Sequence, residues 1–271
     1  MELEWGSRTF VMGIVNVTPD SFSGDGVLDP TTAVAQGYEM ESAGADILDV
    51  GGMSSRPGHA EISAAEELER VMAVMPRLRS AVGALISIDT YRYEVAEAAV
   101  EAGASMINDI WGLKREPRLA ELAAARSCTL VLMHNQDGTE YTDLVPEVID
   151  SLRRSVEVAE SAGVKREALI VDPGIGFGKT AEQNLEMLRS LSALRVLGLP
   201  ILLGTSRKST IGKVLGLPVD DRLEGTAATV ALGIAAGVDI IRVHDVEPMV
   251  RVARMTDAIV RGGWKEPEVA A

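Results

Sequence analysis

Two aspartates, Asp89 and Asp172, close apolar runs of this 271-residue chain, within Ser87-Ile-Asp-Thr and Val171-Asp-Pro-Gly. Carboxylates brought into one cleft can hydrogen-bond a guanidine-like ring edge or stabilise a cationic intermediate. Each taken alone serves equally well as a helix N-cap. Asn108, followed by Asp109, adds an amide at the end of another run. Cations end two more. Gly204-Thr-Ser-Arg-Lys-Ser, with Lys208 and Ser209, leads into a stretch of helical character at 210–215, and backbone donors at a helix start attract anions. In Arg242-Val-His-Asp, Arg242 and His244 share one strand face because side chains alternate. A solvated basic loop and a structural histidine are the plainer readings of these segments, and the same holds for His134.

Asp49-Val-Gly-Gly-Met-Ser-Ser-Arg-Pro-Gly has a different character. Two glycines expose backbone N–H groups, Ser55 adds a hydroxyl, and Arg56 supplies a planar fork suited to phosphate oxygens. A simple glycine turn also fits. The lysine of a P-loop is missing, so nucleotide triphosphate hydrolysis is not indicated. Asn16 ends the first run and opens a long polar loop. Its amide either satisfies a turn or offers an oxygen to Mg2+, which prefers oxygen ligands and phosphates.

These residues sit at the C-terminal ends of eight apolar runs, at 11–16, 46–52, 85–90, 105–110, 129–134, 169–174, 201–206 and 239–245. The runs are rich in Val, Ile and Leu with little alternation, as in parallel strands covered on both faces. Helical spacing predicts helices over 30–44, 63–80, 93–102, 145–162, 181–197 and 223–236. Glycine follows several of them, as in Glu101-Ala-Gly-Ala and Ala235-Ala-Gly-Val. Eight strand ends converging on one mouth describe a (β/α)8 TIM barrel, whose C-terminal face gathers polar groups far apart in sequence. An open doubly wound sheet would draw its site from strand ends near one switch point.

The length and a hydrophobic content of 46% suit a single domain spanning 1–271. A net charge of −14 argues against nucleic acid or an anionic membrane as partner, so anions must be met by local arginines and lysines. Cys128 is the single cysteine, read as a small core residue. Residues 1–10 lack an apolar signal core, and no run reaches membrane-spanning length. The expected compartment is the cytoplasm.

Taken together, Asn16-Val-Thr-Pro-Asp-Ser-Phe, Gly51-Gly with Ser-Arg-Pro-Gly, Asp89-Thr, Asn108-Asp-Ile, Asp172-Pro-Gly with Gly176-Phe-Gly-Lys, Ser206-Arg-Lys-Ser and Arg242-Val-His-Asp resemble the dihydropteroate synthase family. Seven motifs in the family's order cover nearly the whole chain. The resemblance implies a transferase of folate biosynthesis, joining 6-hydroxymethyl-7,8-dihydropterin pyrophosphate to para-aminobenzoate by an SN1-like route. It implies that Asp89, Asn108, Asp172 and Lys208 grip the pterin, with Met133 and Phe177 lining its pocket. Asn16 would coordinate Mg2+ on the pyrophosphate, which Ser55, Arg56, Arg242 and His244 would hold. Phe22, Ser55, Pro57, Lys208 and Ser209 would form the para-aminobenzoate pocket, the target of sulfonamides. The catalytic set would be Asp89, Asp172, Lys208 and Arg56, with no general base, in a homodimer.

Two positions leave the family's pattern: Met53 stands where an acidic residue is usual, and the first loop reads Ser23-Gly-Asp-Gly rather than Ser-Asp-Gly-Gly. Two alternatives share the ring site. A pterin-binding methyltransferase barrel has no use for the Ser206-Arg-Lys-Ser anion site with Arg56 and Arg242, and a non-catalytic pterin-binding paralogue would have lost its phosphate ligands.

Overall fold

A computed structural model describes residues 3–17, 29–53, 62–262 and 264. Each of the eight runs contains a strand: β1 (Phe10–Asn16), β2 (Ile47–Gly51), β3 (Leu85–Asp89), β4 (Met106–Asp109), β5 (Thr129–Met133), β6 (Leu169–Asp172), β7 (Leu202–Leu203) and β8 (Ile240–Val243). All pairings are parallel, and the order β6-β5-β4-β3-β2-β1-β8-β7 sets the first strand against the last. A bridge from Val171 to Ile201 joins β6 to β7, and the Val171 N–H donates to the Pro200 carbonyl at 3.0 Å. The sheet therefore curls into the expected (β/α)8 barrel rather than remaining an open sheet with two free edges. β7 is shorter than its run because the chain leaves the ladder after Leu203 and turns through Arg207, whose φ is 57°.

The helices are α1 (Pro30–Ser42), α2 (Ala64–Ala81), α3 (Tyr93–Glu101), α4 (Arg118–Arg126), α5 (Leu144–Ser161), α6 (Ala181–Arg189), α7 (Ser209–Leu215), α8 (Leu223–Ala235) and α9 (Val246–Val260). The glycine stops behave as expected, with φ of 108° at Gly103 and 98° at Gly237. One expectation fails. The stretch 181–197 is not a single helix: α6 ends at Arg189, and a 3-10 turn over Leu191–Leu197 follows. Leu191, Leu194 and Leu197 are all buried, and a spacing of three is the repeat of a 3-10 helix. Two helices, α4 and α9, had no counterpart in the spacing analysis. α4 has only nine residues and ends on Ser127 at φ 54° instead of on glycine.

Alternation along the strands builds the barrel interior in layers. Phe10, Met12, Ile47, Met106, Val131, Ile170, Leu202 and Ile240 form one apolar cluster, sealed from below by Leu3 and Trp5. Two residues further along the same faces come Asp49, Asn108, Met133, Asp172, Gly204 and Arg242. A polar layer thus lies directly above an apolar floor. The outward positions, among them Val15, Leu48, Ile88, Leu130, Val171 and Ile241, belong to the larger cluster shared with the helices.

Candidate active site

Arg242 is the centre of the polar layer. Its Nε donates to Asp49 Oδ2 at 2.6 Å and its Nη2 to Asp89 Oδ2 at 2.8 Å. Asn108 Nδ2 donates to the same Asp49 oxygen at 3.0 Å. Burial pushes the Asp89 carboxyl up to about 7; Arg242 opposes the rise and Asp49 adds to it. Gly51 keeps the space beside Asp89 open, since a Cβ there would sit 3.6 Å from Asp89 Oδ2 and 3.7 Å from Asn16 Oδ1. Behind Asp89, the Thr90 hydroxyl donates to Glu67 at 2.7 Å, and Glu67 also pairs with Arg92 at 2.9 Å. Arg92 in turn holds the Ile62 carbonyl at 2.6 Å, tying the start of α2 to the end of β3.

Asp172 and Lys208 form the opposite wall. Burial raises the Asp172 carboxyl, with Lys208 the leading opposing influence, and one Asp172 oxygen accepts the Gly174 N–H at 2.7 Å. Burial likewise lowers the Lys208 ammonium to about 8, opposed by Asp172. Lys208 Nζ donates to the Ile175 carbonyl and lies 4.7 Å from the centre of the Phe177 ring, within cation–π range. Gly204 leaves room between the cations: a Cβ there would be 3.8 Å from both Lys208 Nζ and Arg242 Cβ. His244 meets Ser206 at the edge of the site, with Nδ1 and Oγ 3.0 Å apart.

The loop carrying Phe177 is pinned from within by Lys179. Its Nζ lies 2.9 Å from His134 Nδ1 and donates to the carbonyls of Gly174 at 3.1 Å and Phe177 at 3.2 Å. Burial lowers this ammonium to about 7 and, together with Lys179, holds His134 down at about 2. His134 is therefore a neutral acceptor, in keeping with its structural reading. The same loop is held by the Tyr141 hydroxyl on the Gly178 carbonyl at 2.7 Å and by Asn184 Oδ1 on the Gly176 N–H at 2.7 Å.

Of the site residues expected from sequence, Asn16, Asp89, Asn108, Met133, Asp172, Phe177, Lys208 and Arg242 all belong to the C-terminal mouth, and Met133, Asn108 and Asp172 are buried in it. Ser209 starts α7 and is exposed. Phe22, Ser55, Arg56, Pro57 and the Ser23-Gly-Asp-Gly segment lie outside the described residues. Met53, just after β2, is half-buried.

A family model described as pterin binding enzyme matches residues 12–244. Over 262 residues the chain is 50% identical to the dihydropteroate synthase of Clostridium beijerinckii, covering 96% of this chain and 97% of that one. The chain belongs to the dihydropteroate synthase family. Solved structures of dihydropteroate synthases superpose closely. One from Clostridium difficile, obtained in the presence of pteroic acid, gives a TM-score of 0.93 at 50% identity, covering 96% of this chain and 100% of that chain. One from Xanthomonas albilineans, with 4-aminobenzoic acid, gives 0.89 at 41% identity, covering 94% of each.

Among the participants that the sequence analysis did not single out as site residues are Asp49 and Lys179. Both carried a signal. Asp49 is a charge in the middle of a strand buried on both faces, where an ionised group needs a partner. Lys179 closes a glycine-rich turn directly before the capping pair Thr180 and Gln183, where the Thr180 hydroxyl accepts the Gln183 N–H at 3.2 Å.

Proposed function

We propose that this member of the dihydropteroate synthase family joins 6-hydroxymethyl-7,8-dihydropterin pyrophosphate to para-aminobenzoate, giving 7,8-dihydropteroate and pyrophosphate. One juxtaposition carries the reading. Acceptors on β3, β4 and β6, namely Asp89, Asn108 and Asp172, face cations carried by the β7 and β8 ends, Lys208 and Arg242. The acceptors suit the N–H edge of a pterin, with Met133 and Phe177 as apolar walls. Arg242 suits the leaving pyrophosphate, while Lys208 meets the pterin and para-aminobenzoate. Arg242 spends Nε and Nη2 on carboxylates, which leaves Nη1 for a phosphate oxygen, with His244, Ser55 and Arg56 in support.

In an SN1-like course the methylene C–O bond breaks first and its electron pair leaves with pyrophosphate. The positive charge left on the pterin is spread over the ring and stabilised by Asp89 and Asp172. The amine lone pair of para-aminobenzoate then forms the C–N bond, and the nitrogen, now strongly acidic, passes its proton to water or to the released pyrophosphate. An aromatic amine is nucleophilic without prior deprotonation, so positioning by Phe22, Ser55, Pro57, Lys208 and Ser209 replaces a general base.

Among the described residues no group of three or more His, Cys, Asp or Glu could hold a metal. Beside the phosphate region lies the Asn16 amide oxygen, and one oxygen ligand plus substrate phosphates fits Mg2+, which keeps several waters. When bound, the ion would neutralise charge on the pyrophosphate. No helix among the described residues is long and apolar enough to cross a membrane, and the buried thiol of Cys128 is unpaired, consistent with work in the reducing cytoplasm. Exposed apolar side chains on α7 and α8, Val214, Leu215 and Leu232, support a homodimer formed through that side.

Purified protein given both substrates and Mg2+ should release dihydropteroate, followed by chromatography. Excess chelator with metal-free substrate should stop it, and a sulfonamide should inhibit competitively with para-aminobenzoate. Absence of product with Mg2+ present would overturn the reading.

A further inference from the structure

Asp49 shares the polar layer with Asn108 and Arg242. It is fully buried, and its Oδ2 receives both Asn108 Nδ2 and Arg242 Nε, at 3.0 and 2.6 Å. Its Oδ1 has no hydrogen-bond partner among the described residues, nor has the hydroxyl of Ser87, its register partner on β3. Buried polar atoms are normally satisfied, so Asp49 keeps acceptor capacity beyond the two donors it already holds in place.

An amide has one donor end and one acceptor end, whereas a carboxylate only accepts. With Asp49 beside it, Asn108 must turn its nitrogen to that carboxylate and its oxygen away from it. Arg242 is similarly stretched between Asp49 and Asp89, which fixes the plane of its guanidinium. Without Asp49 the amide could flip and present N–H to a ligand edge that is itself a donor. Resting on the pterin reading above, we propose that Asp49 is a positioning residue for pterin recognition, orienting Asn108 and Arg242 without joining the reacting groups. Para-aminobenzoate, held by a different set of side chains, should be indifferent to it.

The test compares wild type, Asp49→Asn and Asp49→Ala. Asparagine brings an N–H donor up against two donors that share one oxygen, and alanine removes the acceptor altogether. Binding of 6-hydroxymethyl-7,8-dihydropterin is measured by calorimetry, KM for each substrate by steady-state assay, and folding by thermal melt. Asp49→Asn should weaken pterin binding by about tenfold or more while KM for para-aminobenzoate stays within about twofold, the scale of one misdirected hydrogen bond near a charge. Asp49→Ala should weaken pterin binding at least as much, because Asn108 and Arg242 both lose their shared acceptor. If one variant does not fold, the other decides: a loss of about tenfold in pterin affinity supports the role, and affinity within about threefold of wild type overturns it. Equal pterin affinity in Asp49→Asn and wild type, or equal weakening of both substrates, would also overturn it. Wild type that binds no pterin would instead bring down the reading on which this one rests.

Discussion

At the residue scale, Asp172 separates charge from architecture. Its carboxylate accepts the Gly174 N–H at 2.7 Å, a bond that an asparagine oxygen can also make. Asp172→Asn should therefore keep its melting temperature while turnover falls by about 10²-fold, the cost of losing one preorganised electrostatic partner. Paired kinetics and melts would check this, and an unchanged rate would reduce Asp172 to a loop cap. Lys179 has a different signature. Its folded pKa of about 7 lies below the ordinary value of 10.5, so between those limits the unfolded chain binds a proton that the folded chain does not. Stability should then rise with pH from about 7 upward, by at most about 1.4 kcal/mol per pH unit from this group. Urea unfolding at a series of pH values should show a shallower slope for Lys179→Met than for wild type.

At the element scale, the chain reversal after β6 governs how Phe177 and Lys208 meet. Gly174, at φ 68°, packs so tightly that a Cβ would lie 1.9 Å from the His134 carbonyl oxygen. Backbone cannot yield as a side chain does, so Gly174→Ala should cost about 3 kcal/mol or more, or prevent folding. Gly216 has a similar φ of 70° but nothing within 4 Å of its would-be Cβ. Gly216→Ala should cost only about 1 kcal/mol, the left-handed penalty alone. Denaturant titration of both variants measures the difference. Such contrasts were not legible beforehand: both glycines occupy turns, and only the packing of β5 against the β6 loop tells them apart. The break in 181–197 has a similar origin, because a leucine spacing of three fits α and 3-10 windings alike until the barrel wall selects one.

At the scale of the whole molecule, the outer face of α7 and α8 carries apolar surface that the barrel does not use. Leu232 is 71% exposed and Val214 58% exposed, and neither is explained by the fold of one chain. If that face joins two copies, Leu232→Asp should shift the protein toward monomer by light scattering or sedimentation while leaving the circular dichroism spectrum intact. A wild type that is monomeric at micromolar concentration would remove this expectation.

Much of the protein follows from its sequence read locally. Eight Val/Ile/Leu runs with polar ends, separated by helices that stop at glycine, specify parallel β/α units, because strand and helix periods are properties of neighbouring residues. The seven motifs pointed to the family and to most of the mouth. Which inward side chains meet was decided by barrel closure. Arg242 reaches Asp49 across 193 positions and Asp89 across 153 because β8 returns to pair with β1, a contact that no local period encodes. Asp49 read as part of an apolar strand until the barrel set Asn108 and Arg242 on the same oxygen, and Lys179 read as the end of a turn until the fold buried it against His134. Burial and long-range partners turn an ordinary carboxylate or ammonium into a site component, and both arise only when the ring of strands is complete.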